Sequence, residues 1–470
     1  MDGTHIKTAL QSATDTKHVE IGEGAIRSVE DVFQASFGER SAVVVADDTT
    51  FDVAGEQVQS LLSDAGRSVV QPYVFGGTPT LYAGYENIVP LVESLQQHDA
   101  IPVAVGSGSL NDIAKRAAYE CDRPYMVVGT AASMDGYTAF GSSIAKDGHK
   151  QTLTCPAPIA AIADLDILVA APASMTSSGY GDLLGKVPAG ADWIIADTLD
   201  VEKIDDHVWS LVQDPLRASI GRPAELRAGD RQAMDALIEG LIMSGLAMQA
   251  HRSSRPASGA EHQFSHLWEM EGLGRDDDPP LSHGFKVGVG SVAIAALYER
   301  LLQRDLSALD VQELRDRWPS RNEVEQSVRA AHTTPGLDVA AVEQTLGKYI
   351  SADQLAERLA LLHERWPQLR ERLSHQLLPA AELREMLQAA GCPTHPSEIG
   401  LSRDAFKATY VRAQMIRKRY TVLDLLTETN LLNELVDELF APGGFWAKDQ
   451  ASPILRDGRR GTTAFDHAGH

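Results

Sequence analysis

The chain has 470 residues, which is enough for two or three domains, and 43% of them are hydrophobic, as in an ordinary globular protein. The formal net charge of −23 argues against nucleic acid and anionic membrane as partners, because both attract basic surfaces. A local lysine or arginine cluster can still bind a small anionic substrate.

The cysteines and the apolar runs of the sequence indicate the cellular compartment of the protein. The three cysteines form no CxxC pair, which is typical of a reducing cytosol. The N-terminal residues lack the apolar core of a signal peptide, and no run approaches the ~18 apolar residues of a membrane span. We therefore expect a soluble, cytoplasmic protein.

The first third of the chain alternates β-rich runs with helical patterns, which predicts a doubly wound, Rossmann-like parallel sheet in a nucleotide-binding α/β domain, residues 1–172. The predicted strands are Ser41–Ala46, Val69–Phe75, Ile101–Val105, Tyr125–Val128 and Pro158–Leu168. The predicted helices are Phe51–Ala65, Tyr85–Gln97 and Ser109–Tyr119, the last capped by Ser109. Thr138–Leu153 should form a hairpin that turns at Asp147 and Gly148.

After residue 172 the strand signals end and helical periodicity takes over, which predicts an all-helical metal and substrate domain over residues 173–440. Residues 441–470 are Gly-rich and polar, and we expect a loose tail. The cleft between the two domains is the expected active site. The predicted helices are Asp230–Ala250, Val287–Arg304, Asp305–Asp316, Arg321–Ala331, Ala352–Leu373, Ala380–Ala390, Arg403–Arg419 and Val422–Leu439.

Two glycine-containing segments follow predicted strands and are candidates for nucleotide binding. In the first, GSGSLND, two glycines would let the backbone approach a pyrophosphate at a helix N-terminus, although the third glycine of GxGxxG is missing. The second, GTAASMDGY, places small and hydroxylated residues at the end of a strand. An ordinary strand–helix turn and an Asp-Gly turn are the alternatives. The candidate nucleotide-binding residues are Gly106, Gly108, Ser109, Leu110, Asn111, Asp112, Thr130, Ala131, Ala132 and Ser133. Asp135, just before a glycine, could instead accept hydrogen bonds from substrate hydroxyls.

Three histidines lie in EHQFSHLWEM and HGFKVGVG. His262 and His266 are four residues apart and share a helix face, and His283 begins a second helical run. Two imidazoles close together could supply two ligands of a zinc, nickel or iron site. Asp182, which we expect in a glycine-rich turn within GYGDLLGK, is a natural third ligand. The alternatives are ordinary hydrogen-bonded histidines and an aspartate at a helix N-cap.

Taken together, GSGSLND, GTAASMDGY, GYGDLLGK, EHQFSHLWEM and HGFKVG resemble the iron-containing alcohol dehydrogenase superfamily, most closely its glycerol-1-phosphate dehydrogenase branch. The resemblance covers roughly residues 20 to 440. It implies metal ligation by Asp182, His262 and His283, substrate contacts from Asp135, Asp182 and His266, and catalytic roles for His266 and Asp135. The glycine segments would then bind the nucleotide. Ala139 stands where the family commonly has serine, which removes one cofactor hydrogen bond.

The resemblance further implies hydride transfer between a nicotinamide cofactor and the carbonyl of dihydroxyacetone phosphate, assisted by one divalent metal ion (Zn, Ni or Fe), in a homodimer or larger homo-oligomer. Asp47 follows the predicted strand that ends at Ala46, and a carboxylate there favours the ribose of NAD, with NADP possible. Candidate phosphate ligands are Lys186, Arg412, Arg417, Lys418 and Arg419.

Three alternatives remain open from the sequence. The first is a related dehydrogenase that acts on another polyol or sugar phosphate. The second is a dehydroquinate synthase, although that relative has glutamate where this chain has Asp182. The third is a non-catalytic, metal-bound paralogue.

Overall fold

A six-stranded, wholly parallel sheet organises the N-terminal part of the chain. The computed structural model describes residues 4–146 and 149–447. The strand order is β1-β8-β5-β4-β2-β3, and β6 and β7 form a separate antiparallel hairpin. The strands are β1 His18–Gly22, β2 Ala42–Asp47, β3 Val69–Phe75, β4 Ile101–Gly106, β5 Met126–Gly129, β6 Ser142–Lys146, β7 His149–Leu153 and β8 Ala160–Asp164.

Helices cover both faces of this sheet, which confirms the predicted doubly wound α/β region. Alternate strand residues enter two different hydrophobic cores. Val44 and Val105 pack into a core with α2 and the end of α4, while Val43 and Ala104 face a larger core that continues into the helical part. The helices in this region are α1 Thr4–Ser12, α2 Val29–Phe37, α3 Asp48–Thr50, α4 Glu56–Asp64, α5 Tyr85–Leu95, α6 Gly108–Glu120 and α7 Leu165–Ala170.

The rest of the chain is helical, as predicted. Its helices are α8 Ala173–Leu184, α9 Lys186–Thr198, α10 Asp206–Ile220, α11 Pro223–Arg227, α12 Arg231–His251, α13 Ala260–Met270, α14 His283–Leu301, α15 Val311–Asp316, α16 Arg321–Ala331, α17 Leu337–Leu346, α18 Ala352–Gln376, α19 Ala380–Ala390, α20 Arg403–Gln414, α21 Val422–Glu428 and α22 Leu432–Phe440. In the part of the chain that the structure describes, none of these helices combines the length and apolar character of a membrane span.

Several local predictions are wrong for identifiable reasons. The strand predicted over Pro158–Leu168 ends at Asp164, whose side chain accepts a hydrogen bond from Asp166 N and starts α7. Ser109 is not a cap, because α6 already begins at Gly108. The helix predicted over Val422–Leu439 is two helices, with Asn430 in the left-handed region between them.

The C-terminal segment is only partly described, and its first residues are not loose. Trp446 is buried and packs edge-on against Phe406. Its indole Nε1 donates to the Tyr410 hydroxyl at 3.1 Å. The expectation of a loose tail is therefore wrong for residues 441–447, while residues 448–470 and the predicted turn at Asp147 and Gly148 lie outside the described residues.

Candidate active site

A close contact between α8 and α14 brings Asp182 and His283 together. A Cβ on Gly181 would lie 2.4 Å from the carbonyl oxygen of Gly284, and one on Gly284 would lie 1.8 Å from the carbonyl oxygen of Ser178. Asp182 therefore lies inside a helix, and its placement in a glycine-rich turn or at an N-cap is wrong. These glycines do not form a turn. They lie in helices, where the lack of a Cβ atom allows the two backbones to come into contact.

Asp182, His262 and His283 each offer one ligand atom, and these atoms lie within 4.8 Å of one another. Asp182 Oδ1 and His262 Nε2 are 3.4 Å apart. Two ligands on one tetrahedral metal ion, with bonds of about 2.1 Å, would be separated by about 3.4 Å. The donor set and its spacing therefore fit a divalent metal ion.

His262 and His283, the two histidines of this cluster, each contact through Nδ1 a carboxylate that the sequence patterns did not single out. The Nδ1 atom of His262 is 2.7 Å from Glu261 Oε1, and the Nδ1 atom of His283 is 2.9 Å from Glu269 Oε1. A proton on Nδ1, donated to a carboxylate, leaves the Nε2 lone pair free for a metal. This arrangement supports metal binding independently of the ligand spacing.

Glu261 is expected to strengthen metal binding through His262. Its Oε1 atom also accepts from Gly259 N at 2.7 Å, a bond that glutamine could keep. We expect Glu261→Gln to weaken metal affinity about 10- to 100-fold, because the negative charge behind the imidazole is lost. Competition with a chelator measures this change, and an affinity within about twofold of the unmodified protein would contradict the role.

Lys186 joins the ligand Asp182 to Asp135 and is fully buried. Its Nζ atom lies 2.7 Å from Asp182 Oδ1 and 2.8 Å from Asp135 Oδ2. Although burial alone would raise the pKa of Asp182, Lys186 and the histidines hold it well below its ordinary value. Lys186 is thus engaged by two carboxylates, which argues against its predicted role as a phosphate ligand.

Asp135 keeps one carboxylate oxygen available beside the cluster formed by Asp182, His262 and His283, which we call the metal cluster. Its Oδ2 atom also accepts from the Ser244 hydroxyl at 2.9 Å, and its backbone N–H donates to Asp182 Oδ2 at 3.0 Å. No group in the described parts of the chain donates to its Oδ1 atom. The second oxygen is therefore suited to accept a hydrogen bond from a substrate hydroxyl.

His266 lies next to the cluster without joining it. Its ring centroid is 6.0 Å from that of His262 and 5.9 Å from that of His283. Burial, reinforced by the positive charge of Arg417, lowers the pKa of His266 to about 3 despite the opposing effect of Glu269. The imidazole is therefore neutral near pH 7, and it can donate or accept a hydrogen bond.

The two predicted nucleotide segments meet at the carboxyl end of the sheet. The chain goes from β2 outward to β3 and then crosses to β4 on the other side of β2, so Asp47 and Gly106 flank the point where strand order reverses. Thr130 N donates to Gly106 O at 3.1 Å and ties the segments together. The Ser178 hydroxyl donates to Ser133 O at 3.0 Å and links the second segment to α8.

Some predicted cofactor residues have side chains already engaged by the protein. Leu110 is buried against Gly106, and the Asn111 amide accepts from the Tyr125 hydroxyl at 3.0 Å. The Asp112 carboxylate accepts from Ser143 N at 3.3 Å. The side chains of Ala131 and Ala132 are buried. In these positions a nucleotide can be contacted mainly by backbone atoms, whereas the hydroxyls of Ser109 and Thr130 remain candidates.

Asp47 has a structural role that the sequence did not indicate. Its Oδ1 atom accepts from Thr50 N at 2.8 Å, and the Thr50 hydroxyl in turn accepts from Asp47 N at 3.0 Å. This capping box starts α3. A ribose contact from Asp47 would have to use its other oxygen.

Lys115 fixes the loop that carries Asp135, and sequence reasoning missed it. Its buried Nζ atom donates to the carbonyl oxygens of Gly136, Ala139 and Gly141 at 3.0, 2.8 and 3.1 Å. A lysine on the nucleotide-side helix α6 therefore satisfies three buried acceptors at once. Ala139, where the family commonly has serine, contributes its carbonyl to this arrangement.

We expect Lys115→Met to lower the free energy of unfolding by about 3 kcal/mol, because three buried carbonyls lose a charged donor. Urea unfolding followed by circular dichroism measures the change. Lys407→Met is the control, since Lys407 is half-buried at the surface, where it pairs with the exposed Asp437 at 2.7 Å and lies 5.8 Å from the Phe440 ring centroid. Equal stability of the two variants would contradict the role of Lys115.

Comparison with known proteins agrees with this geometry. The sequence profile described as iron-containing alcohol dehydrogenase matches residues 20–172. The glycerol-1-phosphate dehydrogenase (NAD(P)+) of Halalkalibacterium halodurans is 37% identical over 282 residues, 60% of this chain and 70% of that protein. The Bacillus subtilis protein of the same name is 31% identical over 420 residues, 88% of this chain and 92% of that protein.

Solved structures share the fold at low sequence identity. A probable glycerol dehydrogenase from Sinorhizobium meliloti has a TM-score of 0.56 and 16% identity, covering 90% of this chain and 98% of that one. A glycerol dehydrogenase from Schizosaccharomyces pombe has a TM-score of 0.56 and 17% identity, covering 95% and 97%. These two likenesses support the fold, and the closer sequence relatives show that the chain belongs to the glycerol-1-phosphate dehydrogenases of the iron-containing alcohol dehydrogenase family.

Proposed function

We propose that this protein is a metal-dependent, NAD(P)-linked dehydrogenase that interconverts dihydroxyacetone phosphate and sn-glycerol 1-phosphate. The observation that carries the proposal is the Asp182, His262 and His283 cluster, which lies beside the carboxyl end of a nucleotide-type sheet. The relatives matched over most of their length carry the name of this activity. This chain has aspartate at position 182, where dehydroquinate synthase has glutamate, and this difference also argues against the dehydroquinate synthase alternative.

The cluster supports chemistry at a ketone. A divalent metal held by these three residues would polarise the carbonyl oxygen and stabilise the negative charge that develops during reduction. Glu261 and Glu269 orient the two imidazoles for this purpose. The sequence of the chain leaves zinc, nickel and iron as candidates.

Asp135 and His266 would orient the substrate, and His266 could also transfer a proton. We assign to Asp135 a hydrogen bond from the terminal hydroxyl of the substrate, through its unpartnered oxygen. His266, which is neutral near pH 7, is suited to hydrogen-bond the substrate oxygen or to pass on a proton. Placing the nicotinamide and the ketone face to face would supply much of the rate enhancement.

For the cofactor we propose NAD in preference to NADP. Asp47 lies at the end of β2, next to the reversal of strand order, where a carboxylate favours a ribose hydroxyl and repels a 2′-phosphate. Cytoplasmic location is likewise a proposal, and the three unpaired cysteines are compatible with it. A homodimer or larger homo-oligomer stays a prediction.

Substrate and cofactor profiles test the proposal. Metal-loaded protein should oxidise NADH with dihydroxyacetone phosphate at a much higher kcat/KM than with dihydroxyacetone, and the product should be the sn-1 phosphate. NADH should be preferred to NADPH. A preference for the unphosphorylated ketone would instead indicate a polyol dehydrogenase of the same fold, and the absence of any reduction would favour the non-catalytic paralogue.

A further inference from the structure

We infer that Arg417, Lys286 and Lys150 form the subsite for the phosphate group of the substrate, beside the buried carboxylate of Glu269. This inference rests on the proposed function, because it identifies which residues recognise the phosphorylated end of the substrate. Three separate elements supply the cations: the segment after α20, the helix α14 and the strand β7 of the small hairpin.

Glu269 locates this group of cations next to the metal cluster. Its Oε1 atom lies 2.9 Å from His283 Nδ1, 3.1 Å from Lys150 Nζ and 3.8 Å from Lys286 Nζ. Its Oε2 atom lies 3.6 Å from His266 Nδ1. The two lysines thus share a carboxylate with His283 and with the proposed substrate histidine, His266.

The local charge matches a phosphate monoester. Among the groups that are not exposed, Lys150, Lys286 and Arg417 carry three positive charges and Glu269 offsets one of them, while the exposed carboxylate of Asp277 acts on Lys286 from the solvent side. The nearby Asp112 is paired with Lys115 at 3.9 Å. The excess of two positive charges stands out on a chain whose net charge is −23. A phosphate monoester carries a charge of about −1.5 to −2 at pH 7, so it would neutralise this excess.

Arg417 is the member with no committed partner. The segment that carries it is held against α13 by a hydrogen bond from Gln263 Nε2 to Arg419 O at 3.3 Å, and burial lowers the pKa of Arg417 while the charge of Glu269 opposes that effect. Yet, across residues 4–146 and 149–447, no group accepts a hydrogen bond from its guanidinium or forms an ion pair with it. A partly buried guanidinium of this kind is suited to bidentate phosphate binding.

The neighbouring basic residues are engaged elsewhere or point to solvent. Arg412 pairs with Glu271 and donates to Ala331 O, and Arg419 donates to Ser258 and Ser254. Lys418 is exposed. Of the basic residues singled out from the sequence, Arg417 alone is left for the phosphate. Arg417, Lys418 and Arg419 follow α20 rather than lie on it, because that helix ends at Gln414, whereas Arg412 lies in its last turn.

The test compares Arg417→Met and Lys286→Met with Lys418→Met, an exposed neighbour of Arg417, in metal-loaded, full-length protein. Steady-state kinetics would use dihydroxyacetone phosphate and dihydroxyacetone. We expect each subsite variant to raise KM for the phosphorylated ketone roughly 10- to 100-fold, the loss expected for one charge-assisted hydrogen bond. The kcat/KM for dihydroxyacetone should change by less than about threefold, since a structural defect would affect both ketones.

Inorganic phosphate provides a second measurement that needs no turnover. It should raise the Tm of the unmodified protein and of Lys418→Met, and it should raise that of Arg417→Met little or not at all. Equal phosphate stabilisation of all variants, or equal losses with both ketones, would overturn the subsite while leaving the proposed function intact. Failure of the unmodified protein to reduce dihydroxyacetone phosphate would overturn the function, and the phosphate titration would still decide the subsite.

Discussion

His262→Ala should lower kcat/KM for dihydroxyacetone phosphate at least about 1000-fold, because a carbonyl-polarising metal supplies several kcal/mol and each 1.36 kcal/mol is a factor of ten in rate. His262 is buried, its Nε2 atom faces Asp182, and its Nδ1 atom is held by Glu261. Removing the imidazole leaves two of the three ligands. Metal content after dialysis should fall together with activity.

His363→Ala is the matched control, since His363 is an exposed residue on α18. It should keep both its metal and its activity. Retention of tight metal binding in His262→Ala would mean that the ion is held elsewhere. Retention of activity without metal would remove the metal from the mechanism altogether.

Gly284→Ala should be the most damaging of the single-methyl substitutions at the helix contact. The new Cβ would lie far under 3.0 Å from the backbone carbonyl of Ser178, so α8 and α14 would have to separate. Overpacking against rigid backbone typically costs about 1 to 3 kcal/mol, and we expect a value near the upper end. Because Asp182 lies on α8 and His283 on α14, metal affinity should fall as well.

Gly288→Ala, one turn further along α14, is the control. Its nearest neighbour is the end of the Leu387 side chain at 3.2 Å, which can move. We therefore expect a small change in Tm and an unaltered metal affinity. Chemical denaturation and metal titration of both variants measure the difference, and equal behaviour would show that the close helix contact does not position the ligands.

The strands and long helices could be predicted because the spacing of apolar residues in the sequence matches the residues that each element buries. The runs Val69–Phe75 and Ala380–Ala390 have the bounds that the sequence indicates. The predictions failed where tertiary contacts outweigh local pattern. Gly179 and Gly181 signal a turn in isolation, but in the fold they allow helices and loops to approach closely. The elements α1, β1 and α2 have short, mixed patterns and were missed.

The clustering of Asp182, His262 and His283 could be predicted because histidine and aspartate in a family motif carry their own chemical signal. Glu261 adjoins His262 in sequence and Glu269 follows His266 by three residues, yet nothing in the pattern separates these two acids from solvent-exposed ones. Their roles depend on which way the side chain points. Lys115 and Lys150 are still less accessible to sequence reasoning, because their partners lie far along the chain.

The most direct test of the account is NADH oxidation with dihydroxyacetone phosphate by protein that has been stripped of metal and then reloaded with zinc, nickel or ferrous iron. The account predicts no significant turnover by the stripped protein and recovery with at least one of these ions. It also predicts that recovery is absent in Asp182→Ala. Full turnover by the stripped protein, or recovery in Asp182→Ala equal to that of the unmodified chain, would contradict the metal-dependent mechanism.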